Sequence, residues 1–467
     1  MASSSSAPPG KPGLVRVLGL WSLVIYGIVL IQPTAPMSPF GVVSVEARGH
    51  VVTAILIGMV AMLFTAFAYG KMAAVYPSAG SAYAYVGKEL HPALGYVTGW
   101  SMLFDYVMNP IICVIICSKL AANYLPDVPY AGWATFFAFL FTGLNLRGIK
   151  ASARTNALIA GGLGVVLVLF CVAAFRYVLG QHLGGAELTR PFYDPATFSW
   201  RSVSTGTALA VLTYIGFDGI STLSEEAKNP RRNIMLATVI VCLFTGIFGS
   251  LQVYLAQLVW PDWTSYPNVE TAIVYVAGRA GESLAVGGGR VLFAVLNLAL
   301  LIANMGSGMG AQLGAGRLLY GMGRDNAIPR GFFGFVSPKT RVPRNNILLV
   351  GALALAGAFT VDYQLGAELL NFGAFIAFMG VNVAWFVHYY VRQPKKSLVN
   401  LVPPLLGFLI CFYLWLSLRT PAKVAGFVWL ATGVLYGAWK TQGFKRPIEF
   451  REVDETEAAA ATDEATR

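Results

Sequence analysis

Residues 17–45 read VLGLWSLVIYGIVLIQPTAPMSPFGVVSV, and residues 204–223 read STGTALAVLTYIGFDGISTL. Each is an apolar stretch of membrane length broken near its middle. The first is interrupted at Gln32-Pro33-Thr34-Ala35-Pro36-Met37-Ser38-Pro39, the second at Gly216-Phe217-Asp218-Gly219. In hydrocarbon a broken helix leaves backbone groups unpaired, which is tolerated only where protein or cavity water satisfies them. Two such breaks at corresponding places in the two halves of a chain point to the binding site of an inverted-repeat transporter.

Working outward, the rest of the chain is as apolar as these two stretches. Hydrophobic residues make up 56% and charged residues 12%, with a mean hydropathy of +0.63, so no sizeable soluble domain is expected. At roughly 20 apolar residues per span the sequence predicts twelve: Val17–Val45, Val51–Tyr69, Pro92–Tyr124, Tyr130–Asn145, Asn156–Leu179, Ser204–Leu223, Asn233–Trp260, Leu284–Tyr320, Asn346–Val361, Gly366–Val391, Leu401–Leu418 and Val424–Trp439. The fold class is all-α and integral to the membrane. Spans one to five (about 17–179) and six to ten (about 204–391) can be overlaid in opposite orientation, each set opening on a broken span. The last two spans (about 401–439) are extra. Residues 14–440 thus form one transporter domain between a Ser/Pro/Gly-rich segment, 1–13, and an acidic tail, 441–467, both expected to be disordered. The first span is too long and too Pro-rich for a signal peptide. The loop after span seven holds an apolar-periodic piece, Val269–Val276, that fits either a short helix over the external mouth or a plain loop.

The net charge of +11 is distributed as a topology signal. With the N-terminus cytoplasmic and residues near span ends counted with the nearer side, the inner side holds 24 of the 33 Lys and Arg and the outer side eight, while Lys119 lies within a span. This positive-inside bias places both termini in the cytoplasm and removes the reason to invoke nucleic acid. All five cysteines fall inside spans and show no disulfide or metal spacing. No cluster of His, Cys and acids occurs in the spans, so neither a metal, a cofactor nor an enzyme is expected.

Several runs resemble the amino acid–polyamine–organocation family of secondary transporters. They are YPSAGSAYAYVG at 76–87 with Gly99-Trp100 and Asp105-Tyr106, GFDGISTLSEEAKNP at 216–230, GRLLYGMGRD at 316–325 and NFGA at 371–374. Within the family the pattern is similar to that of bacterial putrescine importers. The resemblance implies a five-plus-five inverted repeat (LeuT-like) with helices one and six broken and crossing at the membrane centre. It also implies alternating access, coupling to a proton or sodium ion, and a place in the bacterial inner membrane.

The expected substrate-lining residues are Gln32, Thr34, Ala35, Met37, Ser38, Tyr106, Gly216, Phe217, Asp218 and Gly219. At each break the following half-helix exposes N–H donors and a positive dipole end, although Pro33, Pro36 and Pro39 donate nothing. Asp218 lies mid-membrane, where an acid must face a cavity or a partner. It is either an ammonium contact or proton relay, or a cap for the broken helix. Phe217 is either an aromatic gate and cation–π face or ordinary packing. Asp105 reads as an anchor of span three, Lys119 as a snorkelling lysine and His388 as interfacial. Gly306, Gly308, Gly310, Gly314 and Gly316 read as a stripe for close helix packing. Many proton-linked relatives carry a fifth-helix lysine where this chain has Leu163. A sodium site would have only Ser307 as its hydroxyl on span eight, so Asp218 and Ser307 are the ion-coupling candidates. With Asp218 the one obvious acid, a mono-amine or amino acid is expected in preference to a diamine. The function expected is secondary active transport of amino acids or related amines, the partners being that solute and the lipid bilayer. An uncoupled facilitator and a transporter-like nutrient sensor are the alternatives. The sequence leaves the oligomeric state open.

Overall fold

The computed structural model describes residues 18–76, 81–148, 153–224, 226–324, 328–338 and 340–444. The expected disordered N-terminus and tail lie outside these, except that residues 441–444 close the last helix with a turn in which the Phe444 N–H donates to Thr441 Oγ1 at 2.8 Å.

Among the described residues the protein is helical, without a named strand. The helices are α1 (Leu20–Ile31), α2 (Phe40–Glu46), α3 (Val51–Val75), α4 (Ser81–Glu89), α5 (Pro92–Ala122), α6 (Tyr130–Leu146), α7 (Ala153–Gly180), α8 (Gly185–Thr189), α9 (Trp200–Ala210), α10 (Pro230–Val259), α11 (Ala272–Gly281), α12 (Gly288–Arg324), α13 (Arg330–Phe333), α14 (Arg344–Thr360), α15 (Tyr363–Phe386), α16 (Val402–Ser417) and α17 (Thr420–Lys440). Eight helical segments in the described residues are long and apolar enough to cross a membrane, and Leu20–Ile31 and Arg344–Thr360 are shorter apolar helices. Many of their outward side chains are large and apolar, such as Trp21, Val165 and Leu435. Lipid accepts such a surface, whereas water does not.

Both expected breaks occur. α1 stops at Gln32, whose φ is +72°, and the chain turns through three prolines before α2 begins. The second break opens earlier than the sequence indicated. α9 tightens into a 3-10 segment at Val211–Tyr214, turns at Gly216 and resumes as a 3-10 segment over Phe217–Leu223. Gly216 has φ +118°, a conformation glycine adopts without a Cβ penalty.

Around the breaks, α3 packs along α10, while α5 packs against α12, α14 and α15. α17 lies on α5 and α15. There Trp100 and Trp429 stack at 4.9 Å, and each indole N–H donates to the other's backbone carbonyl, at 3.0 and 3.1 Å. Where α15 meets the start of α17, Glu368, fully buried, accepts from Arg419 Nε at 2.9 Å. The apolar piece after α10 does become a helix, α11. Its approach closes over α2 so tightly that a Cβ on Gly41 would sit 1.9 Å from the Val269 carbonyl oxygen.

Candidate functional site

A cavity of about 570 Å³ lies between the two breaks. Its wall comes from the end of α1 and the first break (Tyr26, Gln32, Ala35, Ser38), α5 (Asp105, Tyr106, Asn109), α7 (Leu163), the second break (Gly216, Asp218, Gly219) and α12 (Asn304, Ser307, Gly310), with Tyr363 of α15. The first break enters this wall because its turns use up its own donors. The Ala35 N–H goes to the Gln32 carbonyl at 3.1 Å and the Met37 N–H to Thr34 at 2.9 Å. Side chains then tie the break to α12. Gln32 Nε2 donates to the Ala303 carbonyl at 3.0 Å, and Asn304 Nδ2 donates to Ser38 Oγ at 3.2 Å.

Two carboxylates face the cavity and interact electrostatically, Asp105 and Asp218. Asp218 stands just past the Gly216 turn, beside the backbone of Gly216 and Gly219, whose own N–H···O bond (Gly219 N–H to the Gly216 carbonyl, 3.0 Å) closes the turn. Asp218 is half-buried and lines the cavity. Asp105 receives no hydrogen bond from the described residues. No Lys or Arg lines the cavity among the described residues. A low-dielectric chamber with two acids and no base favours a cationic guest, since each bare carboxylate there is costly without a partner. The rings of Tyr26, Tyr106 and Tyr363 supply faces against which a cation can rest.

The structure redistributes the residues expected to form the site. Gln32, Ala35, Ser38, Tyr106, Gly216, Asp218, Gly219 and Ser307 line the cavity. Thr34 and Met37 do not. Both are buried inside the turns of the break, each 1% exposed. Phe217 is also excluded from the wall: it is fully buried between Tyr69 and Phe378, with both ring centroids at 5.5 Å. Packing therefore accounts for it, and it offers no face to a ligand. Ser307 Oγ donates to Asn109 Oδ1 at a long 3.5 Å.

Other readings change as well. Asp105 was read as an anchor and instead stands in the wall. The clue available in the sequence was its spacing: Asp105, Asn109 and Cys113 recur every four residues on one helical face. Lys119 does not snorkel but pairs with Glu270 of the loop before α11. His388 is tied by Nδ1 to the fully buried Glu89 at 2.8 Å. The glycine stripe of α12 has two uses. A Cβ on Gly308 would lie 2.6 Å from Phe141 Cε2, and one on Gly316 3.2 Å from Ile347 Cγ1, which is close packing. Gly306 and Gly310 have nothing within 4 Å of such a Cβ and front the cavity. Leu163, where the family resemblance points to a lysine in proton-linked relatives, puts an alkyl group into the wall. Among the described residues no group of His, Cys, Asp and Glu is arranged to hold a metal.

The profile of the family described as amino acid permease matches residues 38–444. The chain belongs to the amino acid permease family. The permease is 34% identical over 446 residues to the low-affinity putrescine importer PlaP of Escherichia coli, covering 93% of this chain and 96% of that protein. It is 25% identical over 473 residues to the methylthioribose transporter of Bacillus subtilis, covering 92% and 94%. It is 26% identical over 459 residues to the branched-chain amino acid permease BcaP of the same organism, again covering 92% and 94%. The permease is thus a multi-pass membrane transporter of small solutes and not an enzyme.

Proposed function

We propose that this permease is a secondary active transporter for small organic amines, with a diamine such as putrescine as its preferred cargo. The observation that carries the reading is the pair Asp105 and Asp218 facing one cavity that, among the described residues, no Lys or Arg lines. A diamine presents two ammonium groups, and the cavity presents one carboxylate for each. This revises the preference for a mono-amine or amino acid, which rested on crediting Asp218 alone. A free α-carboxylate would meet two like charges here and the diverted donors of a proline-rich break. The putrescine importer among the relatives supports the same reading.

In this reading twelve spans, the first ten forming a five-plus-five inverted repeat, lie in a bacterial inner membrane with both termini cytoplasmic. The cavity wall takes in Tyr26 from the middle of α1 and Leu163 from the first half of α7. The Lys119–Glu270 pair and the Val269 contact on Gly41 tie the loop before α11 to α5 and α2. Such a transporter alternates between outward- and inward-facing states, and cargo and coupling ion act by biasing the two populations. The ion is a proton or sodium, with Asp218 and Ser307 as its candidate groups.

The test is a melting-temperature panel on purified protein. Ligands that prefer the folded state raise the midpoint. Putrescine is expected to raise it and neutral α-amino acids to leave it unmoved. The reverse pattern would overturn the diamine assignment. Accumulation of labelled putrescine against its gradient in proteoliposomes then separates active transport from a facilitator.

A further inference from the structure

Between the first break and α10 lies a second cavity of about 10 Å³, room for a single water. Its wall includes Gln32, Pro33 and Pro36 of the break and Thr245, Gly249 and Gln252 of α10. Gln252 is 1% exposed. Its Nε2 donates to the Pro33 carbonyl at 3.1 Å, and its Oε1 has no partner among the described residues. In an unbroken helix the Pro33 carbonyl would accept from the Met37 N–H. Here that N–H is diverted to the Thr34 carbonyl. Gln252 supplies from α10 the donor that the turn removed. One helical turn earlier Gly249 lets α10 come close, since a Cβ there would stand 3.3 Å from Pro36 Cγ.

We propose that Gln252 is a positioning residue for the substrate site. It touches no cargo and holds the first break from the α10 side, so that Gln32, Ala35 and Ser38 keep their places in the cavity wall. The proposal rests on the proposed transport of amines for its kinetic consequence, but its structural half stands apart from the identity of the cargo.

The experiment uses the full chain with Gln252→Glu, which keeps the length but presents a carboxylate where a donor is needed, and Gln252→Leu, which removes both polar atoms. Initial rates of labelled putrescine uptake are measured in proteoliposomes. In parallel, hydrogen exchange of the amides of residues 34–38 is followed by mass spectrometry on the ligand-free protein. Loss of one hydrogen bond is expected to raise KM by about tenfold, with maximal rate per folded transporter within about twofold of wild type. Exchange is expected to quicken at residues 34–38 and to stay unchanged in α15, a pattern general destabilisation would not give. Unchanged KM and unchanged local exchange in a folded variant would overturn the proposal. If the glutamate variant does not fold, the leucine variant carries both readouts. If wild-type protein moves no putrescine, the amine reading falls while the exchange comparison still decides the role of Gln252.

Discussion

Replacing Asp105 by asparagine removes one of the two charges facing the cavity and little else, because its carboxylate receives no hydrogen bond from the described residues. The informative comparison sets putrescine against butylamine, a ligand of similar length with one ammonium. An ammonium about 4 Å from a carboxylate gains about 4 kcal/mol at an effective dielectric constant of about 20. Desolvating both groups takes back part of this, leaving about 2 kcal/mol for the second contact, a figure within the range of measured charge-pair couplings. Wild-type protein should therefore bind putrescine roughly thirtyfold more tightly than butylamine. In Asp105→Asn the preference should shrink to about threefold or less, with butylamine itself barely affected because Asp218 still serves its one ammonium. Asp218→Asn should collapse the preference likewise. The turn itself is closed by the backbone bond from the Gly219 N–H to the Gly216 carbonyl, so it should survive the isosteric asparagine. Calorimetric titration of purified protein gives all the affinities. Equal losses for the two amines in Asp105→Asn, or no putrescine preference in wild type, would refute the two-acid argument.

Two further substitutions separate packing from site. Gly308→Ala places a methyl group 2.6 Å from Phe141 Cε2 and 2.7 Å from Cys113 Cβ, and should lower stability by about 1–3 kcal/mol, read as a drop in melting temperature in detergent. Gly310→Ala meets nothing within 4 Å, so the melting point should hold while the added methyl in the wall alters the KM for putrescine. At the junction of α15 and α17, Glu368→Ala leaves the Arg419 guanidinium without its carboxylate. Arg419 is one-third exposed and stays partly solvated, so the loss should be about 1–3 kcal/mol, read by thermal denaturation, and Arg419→Met combined with Glu368→Met should recover much of it.

Much of the architecture was legible because a bilayer leaves few options. Length and apolarity mark spans, and proline clusters or a Gly-x-x-Gly run mark breaks. The wall of the site was legible where the backbone itself is interrupted, as at Gln32, Ala35, Ser38 and Gly216. It was illegible where the direction of a side chain decides. Phe217 and Asp218 are neighbours, yet one packs against Tyr69 and Phe378 and the other opens to the cavity. A 3-10 segment does not follow the spacing of an α-helix, so helical periodicity could not separate them. Asp105 was undervalued for a related reason: a lone acid on a long helix reads as an anchor until a second acid from a distant segment is brought opposite. Gln252 was missed because its partner is a carbonyl freed by a turn more than two hundred residues earlier.

The reciprocal indole pair of Trp100 and Trp429 has a mechanical corollary. Each ring fills the other's backbone acceptor, so sliding one helix along the other by a single residue would break both bonds at once. With Glu368 and Arg419 fastening α15 to the start of α17, the helices α5, α15 and α17 behave as a stator. Displacement that carries cargo across is then expected at the interrupted segments, where the first is tied to its neighbours α12 and α10 by single amide hydrogen bonds. Strengthening those bolts should leave turnover intact, whereas adding one across the breaks should stall it.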